Sequence, residues 1–208
     1  IKVHGSTSKL TVPMKSMRLY ARDRYGNDWF EFPFFDNDYS IYKRLVLRNA
    51  GQDWFNSYIR DIYANLLARK LDKDLAAAIQ PCIVYLNGKY WGLMNLQERV
   101  DEKMISTQYD IDDDEINLLE DNDLLKNGTY ENFRQFRDTL DHIYITNEKD
   151  FEYLLSKMDR RNLYNYLVIR FYTLIMDWPC WNHKFWQSDE MDAAYRWIVY
   201  DSDISLAY

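Results

Sequence analysis

Asn87 and Gly88 stand between two β-rich runs, Cys82 to Leu86 and Lys89 to Leu96. A two-residue hairpin loop of type I′ needs positive φ at both central positions, and Asn followed by Gly meets that need at little steric cost. This stretch commits the middle of the chain to an antiparallel hairpin. Upstream, Lys15 to Arg22 alternates loosely, as a half-buried strand does, and Tyr39 to Arg48 reads as another strand. Asp53 caps a predicted helix whose apolar positions, Ile59, Ile62, Tyr63, Leu66 and Leu67, make one stripe for the core. Asp61 falls off that stripe, on a face with Tyr58, Asn65 and Ala68.

After the hairpin, Gln97, Glu98 and Arg99 form a polar hinge, and Val100 to Tyr109 reads as a short helix. The acidic run from Asp110 to Asp123 lacks the glycine and terminal glutamate of a calcium loop, so a solvated linker is expected there. Two helices follow over residues 130–143 and 150–158. Arg160 to Met176 is apolar nearly all round, the pattern of a helix buried inside a protein, and Pro179 forbids its continuation.

With 47% apolar and 17% aromatic residues, the 208-residue chain is rich enough in core formers to exclude a disordered one. Its net charge of −7 leaves no basic stripe to neutralise a phosphate backbone, so a nucleic-acid partner is disfavoured. No run of apolar residues is long enough to span a membrane. Cys82 and Cys180 lack metal-ligand spacing and are expected as two buried thiols.

The chemistry gathers at the far end. Asp177 leaves the apolar helix, Asn182 follows five residues later, and the short β-like run from Trp197 to Tyr200 delivers Asp201 and Asp203. That five-residue step separates the base from the metal-binding amide in a protein-kinase catalytic loop. One acid can accept the proton of an attacking hydroxyl, while an amide oxygen and one or two carboxylates can hold Mg²⁺. At the start of the chain, Gly5 among Ser6, Thr7 and Ser8 feeds a strand with Lys15, a pattern able to cradle phosphate through backbone N–H groups and one cation.

Several of these stretches resemble the spore coat protein H (CotH) kinase family. They are Lys15 to Arg18, Leu47 to Asn49 with Arg60 and Asp61, the hairpin from Val84 to Glu98, Asp177 with Asn182, and Tyr200 to Asp203. They occur in order across nearly the whole chain. The resemblance implies an α+β, two-lobed protein-kinase-like fold. A small antiparallel β-lobe with one helix would span residues 1–99, and a mainly helical large lobe residues 100–208, shortened at its C-terminal end. It also implies transfer of the γ-phosphate of ATP, with Mg²⁺, to Ser or Thr of a protein substrate, and a secreted, cell-surface or coat location; the oligomeric state stays open.

Carried over by position, Lys15 resembles the lysine on the nucleotide phosphates, beside Gly5, Ser6 and Ser8, and Asp61 its helical partner. Glu98 lies at the hinge, where the adenine would sit. Asp177 resembles the catalytic acid, and Asn182, Asp201 and Asp203 the metal-binding set. The chain departs from the family at His4, where arginine is common. Transfer of AMP or an amino acid, and a non-catalytic surface module, remain alternatives.

Overall fold

The computed structural model describes residues 1–121 and 123–206, which form an α+β arrangement of six α-helices and eleven strands. The larger sheet is antiparallel, with β1 (Lys2–His4), β2 (Ser16–Tyr20), β5 (Arg44–Arg48), β7 (Lys89–Glu98) and β6 (Ile79–Leu86) side by side in that order. The hairpin between β6 and β7 turns as its sequence requires, with φ of 51° at Asn87 and 77° at Gly88. β6 is an edge strand, which accommodates Pro81, a residue that cannot donate to a ladder. A two-stranded ribbon of β3 (Phe30–Glu31) and β4 (Ile41–Tyr42) stands apart.

A second antiparallel sheet has the order β11-β10-β8-β9: β11 (Arg196–Ile198), β10 (Lys184–Ser188), β8 (Ile116–Glu120) and β9 (Leu124–Asn127). The expected solvated linker is therefore corrected in its second half. Ile116, Leu118 and Leu119 are buried, and the first two share a core with Val100, Met104, Ile105 and Trp186. The acids before them masked five residues of strand. Helices α3 (Glu102–Tyr109), α4 (Glu131–Leu140) and α5 (Glu148–Ser156) fall within or near their predicted spans.

Helix α2 (Arg60–Leu71) presents the face opposite to the predicted one. Ile59, Tyr63 and Leu66 are exposed, whereas Asp61, Ala64, Asn65 and Ala68 are buried. The cause is the neighbour. Ala68 packs with Tyr166 and Ile169 of α6 (Arg160–Tyr172), together with Leu75, Ala76 and Val199. Small side chains let two helices approach closely, and the buried polar groups are partnered: the Asn65 amide nitrogen donates to the Asp61 carbonyl oxygen at 2.8 Å, and the Asp61 carboxylate accepts from the Ser202 N–H at 2.8 Å. Asp53 holds the start of α2 from a 3-10 turn seven residues upstream, accepting the Arg60 N–H at 3.1 Å.

Helix α6 needs the same correction. Its buried residues are Asn162, Tyr166, Ile169 and Arg170, while Tyr164, Val168, Phe171 and Tyr172 are each more than half exposed. Cys82 is half-buried, and Cys180 is exposed, against the expectation of two buried thiols; both are free. No helix among the described residues is long and apolar enough to cross a membrane.

Candidate functional site

A cleft of about 460 Å³ opens between the two sheets, within the size range of small-molecule sites. Arg18, Arg48 and Gln97 line it from the first sheet, and Leu118, Glu120 and Lys184 from the second. Gly5, Ser6 and Ser8 sit at its margin, as do Asp201 and Asp203.

Arg48 is the hub. Its Nε lies 2.8 Å from Asp61 Oδ2, one terminal nitrogen pairs with Asp201 Oδ1, and the same nitrogen stands 3.5 Å from Asp203 Oδ2. Asp61 is further held by the Ser202 N–H, which donates to its Oδ1 at 2.8 Å. One guanidinium thus ties α2 to the Asp201–Asp203 segment. The carboxylates share it unequally. Burial opposes charge at Asp201, but Arg48 outweighs it and holds this carboxyl below the usual range. At Asp203, burial dominates, aided by the charges of Asp201 and Asp61, and pushes the carboxyl up to about 7 against the pull of Arg48.

Asp203 is also gripped by backbone: the Gln52 N–H donates to its Oδ2 at 2.7 Å. Gly51 makes that approach possible. Its φ is +59°, and a Cβ there would lie 1.8 Å from Asp203 Oδ2. Gly51→Ala is therefore expected to cost about 1–2 kcal/mol from left-handed strain alone, and more from displacing the carboxylate. Thermal unfolding checks this; a variant as stable as the parent would show that Asp203 does not occupy this position.

Asp177 and Asn182 come together as their spacing implied. The Asn182 amide donates to Asp177 Oδ2 and reaches the Asp201 carbonyl oxygen at 3.4 Å. Asn182 and Asp201 both adopt left-handed backbone, at φ 60° and 52°, a region that Asn and Asp tolerate better than most residues. Two further links align these loops. Arg170, buried in α6, donates to the Asn182 carbonyl oxygen at 2.6 Å and lies 3.4 Å from that of Tyr200. The Met176 N–H donates to the Ile204 carbonyl oxygen at 3.0 Å. Burial raises the Asp177 carboxyl above its ordinary value, with the Asp201 charge adding to the effect. Its Oδ1 is buried and has no hydrogen-bond partner among the described residues.

Asp177 and Asn182 stand behind Asp201, outside the lining of the cleft, and two further sequence candidates are placed otherwise than expected. Lys15 lies just before β2, where its amine donates to the Val12 carbonyl oxygen at 2.6 Å, outside the cleft lining. The partner of Asp61 is Arg48, not Lys15. Glu98 reaches the cleft wall, but its carboxylate is occupied: Tyr39 Oη donates to Oε1 at 2.7 Å and the Ala78 N–H to Oε2 at 3.0 Å. Burial raises its pKa. Its carboxylate braces the sheet.

Among the described residues, no group of three or more His, Cys, Asp or Glu is arranged to hold a metal ion. The predicted set of Asn182, Asp201 and Asp203 contains only two carboxylates. Its donor chemistry nevertheless fits Mg²⁺, which takes oxygen ligands and one or two carboxylates. The Asn182 amide oxygen and Asp201 Oδ2 make no hydrogen bond among the described residues.

Sequence reasoning missed Arg48 and Arg170. A signal for the first existed, since Arg44, Val46 and Arg48 share one face of a predicted strand and Arg48 is the charged residue nearest its end. Comparison with curated proteins finds no match. A family model described as CotH kinase protein matches residues 1–208. The match takes in both walls of the cleft and every residue of the Asp177–Asn182–Asp201 cluster, and on it the chain belongs to the CotH kinase protein family.

Proposed function

We propose that the chain is an atypical protein kinase, transferring the γ-phosphate of ATP to Ser or Thr hydroxyls of a protein substrate. The observation that carries this reading is the Asn182 amide, which joins the Asp177 carboxylate to the Asp201 backbone beside an open cleft. Phosphoryl transfer asks little covalent chemistry of a protein and much positioning, so a fixed acid next to oxygen donors is the required equipment.

Asp177 orients the acceptor hydroxyl and takes its proton. Asn182 holds Asp177 in place. Protein kinases pair a cation on the third strand of their small sheet with an acid on the helix that follows. β5 is the third strand of the larger sheet in chain order, and Arg48 on it pairs with Asp61 on α2. The pair has the same layout with shorter acid and forked cation, which supports the reading. Gly5, Ser6 and Ser8 offer small polar groups where phosphates would enter. Asn182, Asp201 and Asp203 would hold Mg²⁺, which when bound offsets the charge of the phosphates.

Asp201→Ala is expected to abolish Mg²⁺-dependent nucleotide binding. Titration calorimetry reads this directly. Thermal unfolding gives a second readout, since a ligand at 100 times its Kd stabilises the native state by about 2.7 kcal/mol. MgATP that fails to raise the Tm of the unmodified chain would sink the nucleotide reading and favour a non-catalytic module. The mass added to a modified acceptor identifies the transferred group and separates phosphate from AMP or an amino acid.

A further inference from the structure

Five cations line the cleft: Arg18, Arg48, Arg99, Lys126 and Lys184. Four have carboxylate partners. Arg48 pairs with Asp61, Arg99 lies 3.2 Å from Asp101, and Lys126 and Lys184 lie 2.7 and 3.7 Å from Glu120. Arg18 has none among the described residues. Its Nε instead donates to His4 Nδ1 at 2.7 Å, and its two terminal nitrogens make no hydrogen bond among those residues.

That contact has a consequence for charge. A ring nitrogen that accepts a hydrogen bond carries no proton, so His4 fixes the guanidinium without sharing or repelling its charge. Burial, then Arg18 and Arg48, push the His4 ring down to about 3, so this acceptor state holds across the working pH range. β1 and β2 supply the clamp. His4 pairs with Ser16 in the ladder, two residues from Arg18 along β2, and Gly5 turns the chain immediately afterwards at φ 103°. A half-buried cation, pre-aimed by a neutral neighbour and lacking an acid, is a site awaiting an anion.

We infer that Arg18, clamped by His4, forms the subsite of this cleft that receives the phosphate tail of a nucleoside triphosphate, the part that the sequence pattern gives to Lys15. The nucleotide identity of the ligand rests on the proposed function; the anion subsite does not. Guanidinium groups match phosphate oxygens in a fork, which an ammonium cannot do.

Calorimetric titrations with inorganic tripolyphosphate, MgATP and AMP test this on the unmodified chain and on Arg18→Gln, Arg18→Lys and Lys15→Met. Arg18→Gln is expected to weaken tripolyphosphate and MgATP by about 10- to 100-fold, the scale of one charge-assisted contact, and to leave AMP within about twofold. Arg18→Lys falls between, and Lys15→Met binds as the parent does. Unfolding temperatures identify any variant that fails to fold, in which case Arg18→Lys decides. Parental tripolyphosphate affinity in the Arg18 variants overturns the subsite, as does equal loss of AMP or a loss confined to Lys15→Met. A parent chain that binds tripolyphosphate but no nucleotide supports the subsite and removes the kinase reading. Binding of neither ligand overturns both.

Discussion

Replacing Arg48 by Met is expected to lower the stability of the fold by about 3–5 kcal/mol near neutral pH, the usual consequence of stripping one partner from a buried ion pair. The estimate rests on Asp61, whose side chain is 2% exposed and which would lose its only cation among the described residues. Asp201 and Asp203 lose the same partner. The loss is also expected to depend on pH, with a definite sign. The Asp203 carboxyl stands at about 7 in the fold against 3.8 for the free group, so folding takes up a proton between those values and stability falls as pH rises through that window. Arg48 pulls this carboxyl down, so its removal raises Asp203 further and extends the window upward. Denaturant unfolding at pH 5 and pH 8 should show the larger deficit for Arg48→Met at pH 8. An equal deficit at both values, or none, would mean that this guanidinium is not what holds the three carboxylates together.

The elements most legible in the sequence were those governed by local physics. Asn87-Gly88 specified its hairpin because φ > 0 at two successive positions leaves few alternatives. Pro179 set an outer limit for α6, but the helix ends earlier, at Tyr172 rather than at the expected Met176. Orientation was less legible. On α2, the larger side chains Ile59, Tyr63 and Leu66 outweighed Ala64 and Ala68 on any hydrophobic count, yet the alanine face is inside. Burial there was decided by close approach to α6 and by polar partners from Ser202 and Arg48, more than a dozen residues away in sequence. β8 was hidden for a compositional reason. Five strand residues followed an acidic run, and the run set the reading of both.

The candidate site divides in the same way. Asp177 and Asn182 lie five residues apart, so their meeting could be anticipated from spacing. Asp61 pairs with Arg48 and not with the Lys15 expected for it. Lys15 and Arg48 are equally plausible on paper, and only the sheet order, which puts β5 beside β2 and β7, brings Arg48 to the cleft wall. Lys15 precedes its strand and turns back to Val12. Glu98 illustrates a different limit. A carboxylate at a cleft wall can serve a ligand or the scaffold, and Tyr39 and the Ala78 N–H settle that choice from parts of the chain that carry no motif.

On the proposed kinase reading, Asp177→Asn is expected to lower the rate of phosphoryl transfer by about 100- to 10,000-fold while leaving nucleotide affinity unchanged, the range that a positioned acid–base group contributes. The substitution keeps the shape of the side chain and replaces the carboxylate with an amide that cannot take the acceptor proton at working pH. The scaffold around it is independent of that charge: Arg170 fixes the Asn182 carbonyl oxygen and the Ile204 carbonyl oxygen holds the Met176 N–H. An amide can also still meet Asn182 by turning its oxygen to the Asn182 donor. Burial and the neighbouring Asp201 charge hold the Asp177 carboxyl above its ordinary value, which makes it a better proton acceptor than a free aspartate. Single-turnover transfer measured alongside calorimetric MgATP binding separates the two effects. Parental turnover in Asp177→Asn would remove Asp177 from the chemistry, whereas loss of MgATP binding together with turnover would make it part of the nucleotide site instead.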